Sequence, residues 1–346
     1  MVTIKDMAEI AGVSPTTVAN VLHGRTKKMS KETLKVSQKT VERVEKLLEE
    51  YEYVPNISAR NLANNSSGII GMAIKGRKDR CDNLIANSFF GNLVSAIEAE
   101  IRARGYFLML YISDDVNELM RYVSTWNVDG LILLGMLHDD FARIKSKYKK
   151  PAVLIDSYAP RNVADYVNVG LDDEQACYDM AKYLLENGHR KIAFLADNME
   201  GVDYQRYMGF LRAMHDHGLE TNEDNLIMIH PGILERRSNM QEIYEKSKNY
   251  TAFMCCSDDY AVMLMSDFLD RGVRIPEDIS FTGFDDDYTA RIVRPKLTTI
   301  RQDIREKGRI AVDSLEKLIR GEKPENKNYC LPVELVFRDS VKKITE

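Results

Sequence analysis

Cysteine is scarce in this chain and odd in number: 346 residues hold five, Cys81, Cys177, Cys255, Cys256 and Cys330. Without pairing or metal-site spacing they argue against a disulfide scaffold and a zinc module, and the adjacent Cys255 and Cys256 fall in an apolar segment that reads as packed core. Tryptophan occurs once, at Trp126, where a helical pattern gives way to a strand, which also reads as core. No apolar run approaches the ~20 residues that span a bilayer. Met1 to Asp6 carries no apolar signal region, so a cytoplasmic protein is expected. Catalytic signatures are missing too. The first strand-like segment reads GIIGMAIKG rather than a dinucleotide fingerprint, and no phosphate-loop lysine motif follows. The six histidines (His23, His138, His189, His215, His217 and His230) form no catalytic arrangement. His215 and His217 face different sides of a helix, which excludes a paired metal site, and His189 reads as a structural turn between helix and strand. The expectation is a protein that is not an enzyme and needs no cofactor or metal.

What is present is polarised. The net charge is −5, yet residues 1–40 carry seven Lys or Arg against three Asp or Glu, +4, which leaves −9 for the rest. A basic N-terminal module on an acidic body fits a small nucleic-acid reader joined to a regulatory domain. Within that module TIKDMAEIAGVSPTTVANVLHG describes two short helices and a tight turn. Thr3 is an N-cap, and Ile4, Met7, Ala8 and Ala11 share a face. Gly12 permits the turn. Ser14 caps a second helix whose first position is Pro15, where a missing N–H costs nothing. Val18, Val21 and Leu22 then point inward and Pro15, Thr16, Thr17 and Asn20 outward, the layout of a helix-turn-helix.

The third helix has two candidate starts, near Ser30 to Thr33 and near Ser37 to Thr40. One reading is an apolar stripe kept in phase from Lys31 to Glu52; the other is a basic loop and then a helix from Gln38. Residues 55–67 read as a linker able to form one or two helical turns on contact with DNA or a partner. From Gly68 strands and helices alternate, as in parallel sheets covered on both faces. The length is generous for one sheet, so two similar subdomains with a cleft are expected.

With these segments in hand the chain resembles the LacI/GalR family of transcriptional regulators. The resemblance rests on TIKDMAEIAGVSPTTVANVLHG, YVPNISARNLA, VDGLILLG, ENGHRKIAFL, CSDDYAVML, RGVRIPEDISFTGFDD and PKLTTIRQD, in family order along nearly the whole length. It implies an all-α helix-turn-helix headpiece (1–54), a hinge helix and linker (55–67), and an α/β core (68–346). That core would comprise two Rossmann-like subdomains of the periplasmic binding protein-like type I, with several chain crossovers. Two departures stand out. The headpiece is longer between its second helix and the hinge, and Ala19-Asn20 replaces the Ser and basic residue of many relatives.

The resemblance also implies site residues. Pro15, Thr16 and Asn20 match base-contacting positions, and Asn can pair two-pronged with adenine. Ser14 and Thr17 fit phosphate contacts, and Thr3 is a further DNA-binding candidate. Arg25, Lys27 and Lys28 suit phosphate neutralisation. Leu62 matches a leucine wedge in the minor groove, with Asn56 and Ala59 beside it and Arg60 near a phosphate or the core. Asp156, Arg206, Asp285 and Gln302 match effector-pocket positions, joined by Asp258 and by Ser257, which replaces a commoner Asn. Phe90, Tyr204 and Tyr288 are candidates to stack on a ring. The expected function is a ligand-responsive repressor of carbohydrate-utilisation genes, binding a palindromic operator as a homodimer, with a sugar or sugar derivative as effector. The alternatives are a purine-type corepressor-dependent repressor and a solute-binding protein without DNA function. No leucine heptads mark a tetramerising tail.

Overall fold

Thr3 and Asp6 begin the first helix by satisfying each other's backbone. The Asp6 amide donates to the Thr3 hydroxyl at 3.3 Å and the Thr3 amide to the Asp6 carboxylate at 2.8 Å, a reciprocal cap for two otherwise orphaned donors. The computed structural model describes residues 2–22, 36–51, 53, 66–77, 81–125, 127–158, 166–230 and 233–344. They divide into two units, Met1–Asn65 and Ser66–Glu346.

In the first unit α1 (Ile4–Ala11), α2 (Pro15–Leu22) and α3 (Gln38–Glu50) enclose Met7, Ala8, Ala11, Val18, Val21 and Val44. Gly12 turns the chain at φ 60°, and its amide caps the carbonyls of Ala8 and Glu9. Ser14 receives the Thr17 amide at 3.1 Å and so starts α2. Of the two candidate starts the structure has the second: Ser37 is extended (φ −69°, ψ 150°) and its side chain accepts the Thr40 amide, so α3 begins at Gln38.

The second unit holds two six-stranded sheets. The first contains β1 (Ile69–Lys75), β2 (Phe107–Ser113), β3 (Gly130–Leu134), β4 (Ala152–Ile155), β5 (Val167–Leu171) and β11 (Asn328–Leu331). Its order is β11-β5-β4-β3-β1-β2, parallel throughout. The second contains β6 (Ile192–Ala196), β7 (Leu226–Met228), β8 (Ala252–Cys255), β9 (Ser280–Asp285), β10 (Thr298–Gln302) and β12 (Val333–Val336). Its order is β12-β10-β9-β8-β6-β7, with β12 antiparallel to β10. A 3-10 turn covers Cys81–Ala86, and the helices are α4 (Ser88–Ala103), α5 (Val116–Thr125), α6 (His138–Lys147), α7 (Asp173–Glu186), α8 (Gly201–Asp216), α9 (Ile233–Ser247), α10 (Asp258–Asp270), α11 (Tyr288–Ile292) and α12 (Ile304–Ile319). Strands β3, β6 and β9 are buried at every residue, which is why β3 (GLILL) and β6 (IAFLA) read as continuous apolar runs without alternation. Phe194, Phe253 and Phe281 are fully buried; burying each such side chain is worth about 1.5–3 kcal/mol.

The chain leaves the first sheet after β5. It returns from β10 through α12, which packs on α4, β3, β4 and β5. It crosses again from β11 to β12. The segment LPVELVF is therefore not one strand: Leu331 pairs with Leu171 in the first sheet, and Val333 pairs with Gln302 in the second. Pro332 stands between them, where its missing N–H breaks no ladder. Gly209 lets α8 lie hard against α7, since a Cβ there would come within 2.0 Å of the Glu174 carbonyl oxygen.

Candidate functional site

The outward face of α2 is small and polar. Ser14, Pro15 and Thr16 are exposed, Thr17 and Asn20 are half-buried, and Val18 and Val21 point into the core of the headpiece. The hydroxyls of Ser14 and Thr17 lie 2.9 Å apart, so both are tied to the start of the helix, the end whose amides favour an anion. Thr3 is exposed and caps α1. Arg25, Lys27, Lys28, Asn56, Ala59, Arg60, Leu62 and Trp126 lie outside the described residues.

In the second unit the C-terminal ends of the strands of both sheets converge on one cavity of about 260 Å³, the place where open α/β sheets bind ligands. From the first sheet come Lys75 at the end of β1 and Arg77 beyond it, Leu134 to Leu137 at the end of β3, and Asp156 after β4. Phe89 and Phe90 open α4 and meet edge to face, with ring centres 5.4 Å apart. From the second sheet come Asp197 after β6, Asp203 and Arg206 on α8, Cys256 and Ser257 after β8, and Asp285 at the end of β9. The Arg77 guanidinium crosses to the Asp197 carbonyl at 3.3 Å. Asp156 and Asp285 both have positive φ, 49° and 116°. That backbone costs a non-glycine residue on the order of 1–3 kcal/mol and gathers at functional sites.

The charges in the wall are paired. Arg206 donates from Nε to Asp173 Oδ1 at 2.7 Å and from Nη1 to the Cys256 carbonyl at 2.6 Å. Its guanidinium lies 3.5 Å from the centre of the Phe284 ring. Burial would lower its pKa, but Asp173, Asp285 and Asp203 outweigh burial and hold it well above the ordinary arginine value. The Tyr158 hydroxyl donates to the other oxygen of Asp173. Burial pushes Asp285 up to about 7, against Arg206 and the Gln302 amide, which favour its charged form. That carboxyl is thus able both to donate and to accept near neutrality.

Phe90, Asp156, Arg206, Ser257 and Asp285 therefore share one cavity, whereas other candidates do not reach its wall. Asp258 is fully buried, with Oδ1 accepting from the Thr299 hydroxyl at 2.5 Å and Oδ2 from the Asp287 amide at 2.9 Å. It braces β10 and the start of α11, which corrects the expectation of a ligand contact there. Gln302 stands behind the wall, donating to Asp285 Oδ1 at 2.6 Å. Tyr204 and Tyr288 are 44% and 71% exposed and do not line the cavity. Sequence reasoning passed over Lys307, Tyr158 and Asp173. Lys307 has a side chain with 0% exposure, bonded to Asp156 and Gln302. The signal was there: Lys307, Ala311 and Leu315 recur at i, i+4 and i+8 on the buried stripe of α12.

Asp197, Asp203 and Cys256 bring ligand atoms within 4.8 Å of one another. Asn198 Nδ2 already donates to Asp197 at 2.9 Å and to Asp203 at 2.6 Å. Burial raises the Cys256 thiol well above its ordinary value, which disfavours the thiolate a metal requires. The group reads as a structural knot.

A helix-turn-helix followed by a doubled α/β body is a combination that comparison with known proteins resolves. Residues 3–56 match the description "Bacterial regulatory proteins, lacI family", and residues 181–341 match "Periplasmic binding protein-like domain". The HTH-type transcriptional repressor PurR of Vibrio parahaemolyticus serotype O3:K6 is 32% identical over 99% of this chain and 100% of its own length. The chain belongs to the lacI family of bacterial regulatory proteins. The HTH-type transcriptional regulator MalR of Clostridium butyricum is 29% identical, covering 97% of the chain and 98% of that relative. A crystal structure of the Lac repressor dimer bound to operator and the anti-inducer ONPF matches with a TM-score of 0.83 and 26% identity, covering 99% of each chain. The regulator is thus a DNA-binding transcriptional repressor with an effector-binding domain, and its relatives are regulators rather than enzymes. Among the described residues no helix is long and apolar enough to cross a membrane.

Proposed function

We propose that this regulator represses carbohydrate-utilisation genes. In this reading it grips a palindromic operator as a homodimer and lets go, or holds on, according to a polyhydroxylated small molecule in the cavity of its body. The convergence of Asp156, Arg206 and Asp285 beside the Phe89–Phe90 pair carries the reading. A sugar-like ring needs fixed acceptors and donors along its edge and an apolar wall against its face. Residues 1–54 act as headpiece, 55–67 as hinge and linker, and 68–346 as effector-binding and dimerisation core. Asn20 and Thr16 read bases, and Pro15 gives an apolar contact. Ser14, Thr17, Thr3 and Arg25 hold phosphates. Leu62, flanked by Asn56 and Ala59, unstacks a step in the minor groove. The occupant acts by binding one arrangement of the two sheets more tightly than another, since only differential affinity shifts such an equilibrium.

A flat heterocycle such as a purine, acting as corepressor, is the second reading. The aromatic edge-to-face pair in the wall and the Asp285 carboxyl, pushed to about 7, suit it. Fluorescence anisotropy on labelled upstream DNA separates the readings, with maltose, cellobiose, hypoxanthine or guanine added. Release by a sugar supports the first and tightening by a purine the second. Equal affinity for palindromic and random DNA at moderate salt, with or without these additions, sinks both.

A further inference from the structure

Lys307 lies on α12, and its ammonium is 2.7 and 2.8 Å from the two carboxylate oxygens of Asp156 and 2.6 Å from Gln302 Oε1. The two Asp156 oxygens lie on one side of the ammonium and Gln302 Oε1 accepts another of its N–H donors, so the lysine spends its charge on the wall. Its partners belong to different walls. Asp156 follows β4 of the first sheet, and Gln302 ends β10 of the second. Gln302 in turn donates to Asp285 at 2.6 Å, and Asp156 and Asp285 both line the cavity. One buried cation therefore sets two polar walls at once. Burial raises the Asp156 carboxyl and Lys307 opposes that; Asp173 adds to the rise and Arg206 opposes it.

We propose that Lys307 is the positioning residue of this cavity. It holds Asp156 as an acceptor without a proton and ties that wall, through Gln302, to Asp285 in the opposite one. The occupant must then donate a hydrogen bond, from a hydroxyl or an N–H, at Asp156. The inference rests on the reading of the cavity as the effector site. Remove the ammonium and the buried carboxyl takes up a proton, because burial disfavours its uncompensated charge. The same group then donates where it had accepted, and the chemistry selected at that point inverts.

The test uses the full chain without DNA or any added small molecule, so its failure is separate from failure of the effector reading. Infrared difference spectra at neutral pH compare wild type, Lys307→Met, Asp156→Asn and the double variant. The expected result is a protonated-carboxyl C=O stretch in Lys307→Met additional to that of Asp285 in wild type, and its loss in the double variant. Thermal unfolding should show a loss of midpoint in Lys307→Met that is largely recovered in the double variant, where two neutral side chains face each other. The proposal is overturned if Lys307→Met lacks the new band, or if wild type already shows one that Asp156→Asn removes. Should Lys307→Met not fold, wild type minus Asp156→Asn decides alone: lost carboxylate bands support the proposal and a lost C=O stretch refutes it.

Discussion

Arg206 and Asp173 form an ion pair at 2.7 Å with side chains 8% and 0% exposed, and the same guanidinium reaches the Cys256 carbonyl. The pair joins the start of α7, just past the first crossover, to α8 and the end of β8. Arg206→Ala leaves Asp173 buried with the Tyr158 hydroxyl to meet it among the described residues; breaking a buried pair from one side costs about 3–5 kcal/mol. The expected outcome is a lower denaturation midpoint and loss of any small-molecule effect on DNA affinity, while basal DNA affinity stays within a few-fold. Anisotropy and urea unfolding on one preparation check both. A retained small-molecule response would remove Arg206 from the effector site.

Asn20 is half-buried on the outward side of α2, with Val21 beside it in the core. Asn20→Ala should cost about 1–3 kcal/mol on the operator, the value of one two-pronged base contact. Nonspecific binding should change little, because phosphate contacts dominate there. Titration of operator and scrambled DNA at the same salt concentration measures the difference; equal losses on both would assign Asn20 to the phosphates.

Gly209 faces the Glu174 carbonyl so closely that a Cβ would sit 2.0 Å from its oxygen. Backbone cannot yield as a flexible side chain can, so Gly209→Ala must push α8 away from α7. A loss of about 1–3 kcal/mol or more is expected, the usual cost of overpacking. Urea unfolding checks it, and an unchanged midpoint would mean the two helices slide apart freely.

His189 is buried, with Nδ1 2.9 Å from the Thr251 hydroxyl and Nε2 donating to the Lys342 carbonyl at 3.1 Å. Burial lowers its pKa below 6.5, against the Lys342 hydrogen bond. The unfolded chain therefore binds the proton first as pH falls. The stability His189 contributes is complete above 6.5 and declines as pH drops from there toward the lowered value in the folded chain. Melting the wild type and His189→Gln across this range should show a flatter pH dependence in the variant. Parallel curves would indicate that other groups carry the effect.

The pieces whose physics is local are legible in the amino-acid order. The capping of α1 by Thr3, the turn at Gly12 and the Ser14-Pro15 start of α2 depend on neighbours within a few residues. The buried strands β3 and β6 announce themselves by unbroken apolar runs. Asp156 and Asp285 stood out through the family resemblance, each placed at or just beyond the end of a strand.

Which side chains meet, and which merely lie close in the chain, depends on how the distant segments fold together. Lys307 sits among the charged residues of REKGR and becomes a buried brace because α12 crosses back onto the first sheet. Its partner Asp156 is 151 positions away. Asp258 and Asp285 look alike in sequence, yet Thr299 and the Asp287 amide take up the first while the second opens on the cavity. Helical and strand periods report which face of a segment is apolar. They are silent on the crossovers at Leu171, Gln302 and Leu331, and those set the partners of every buried charge.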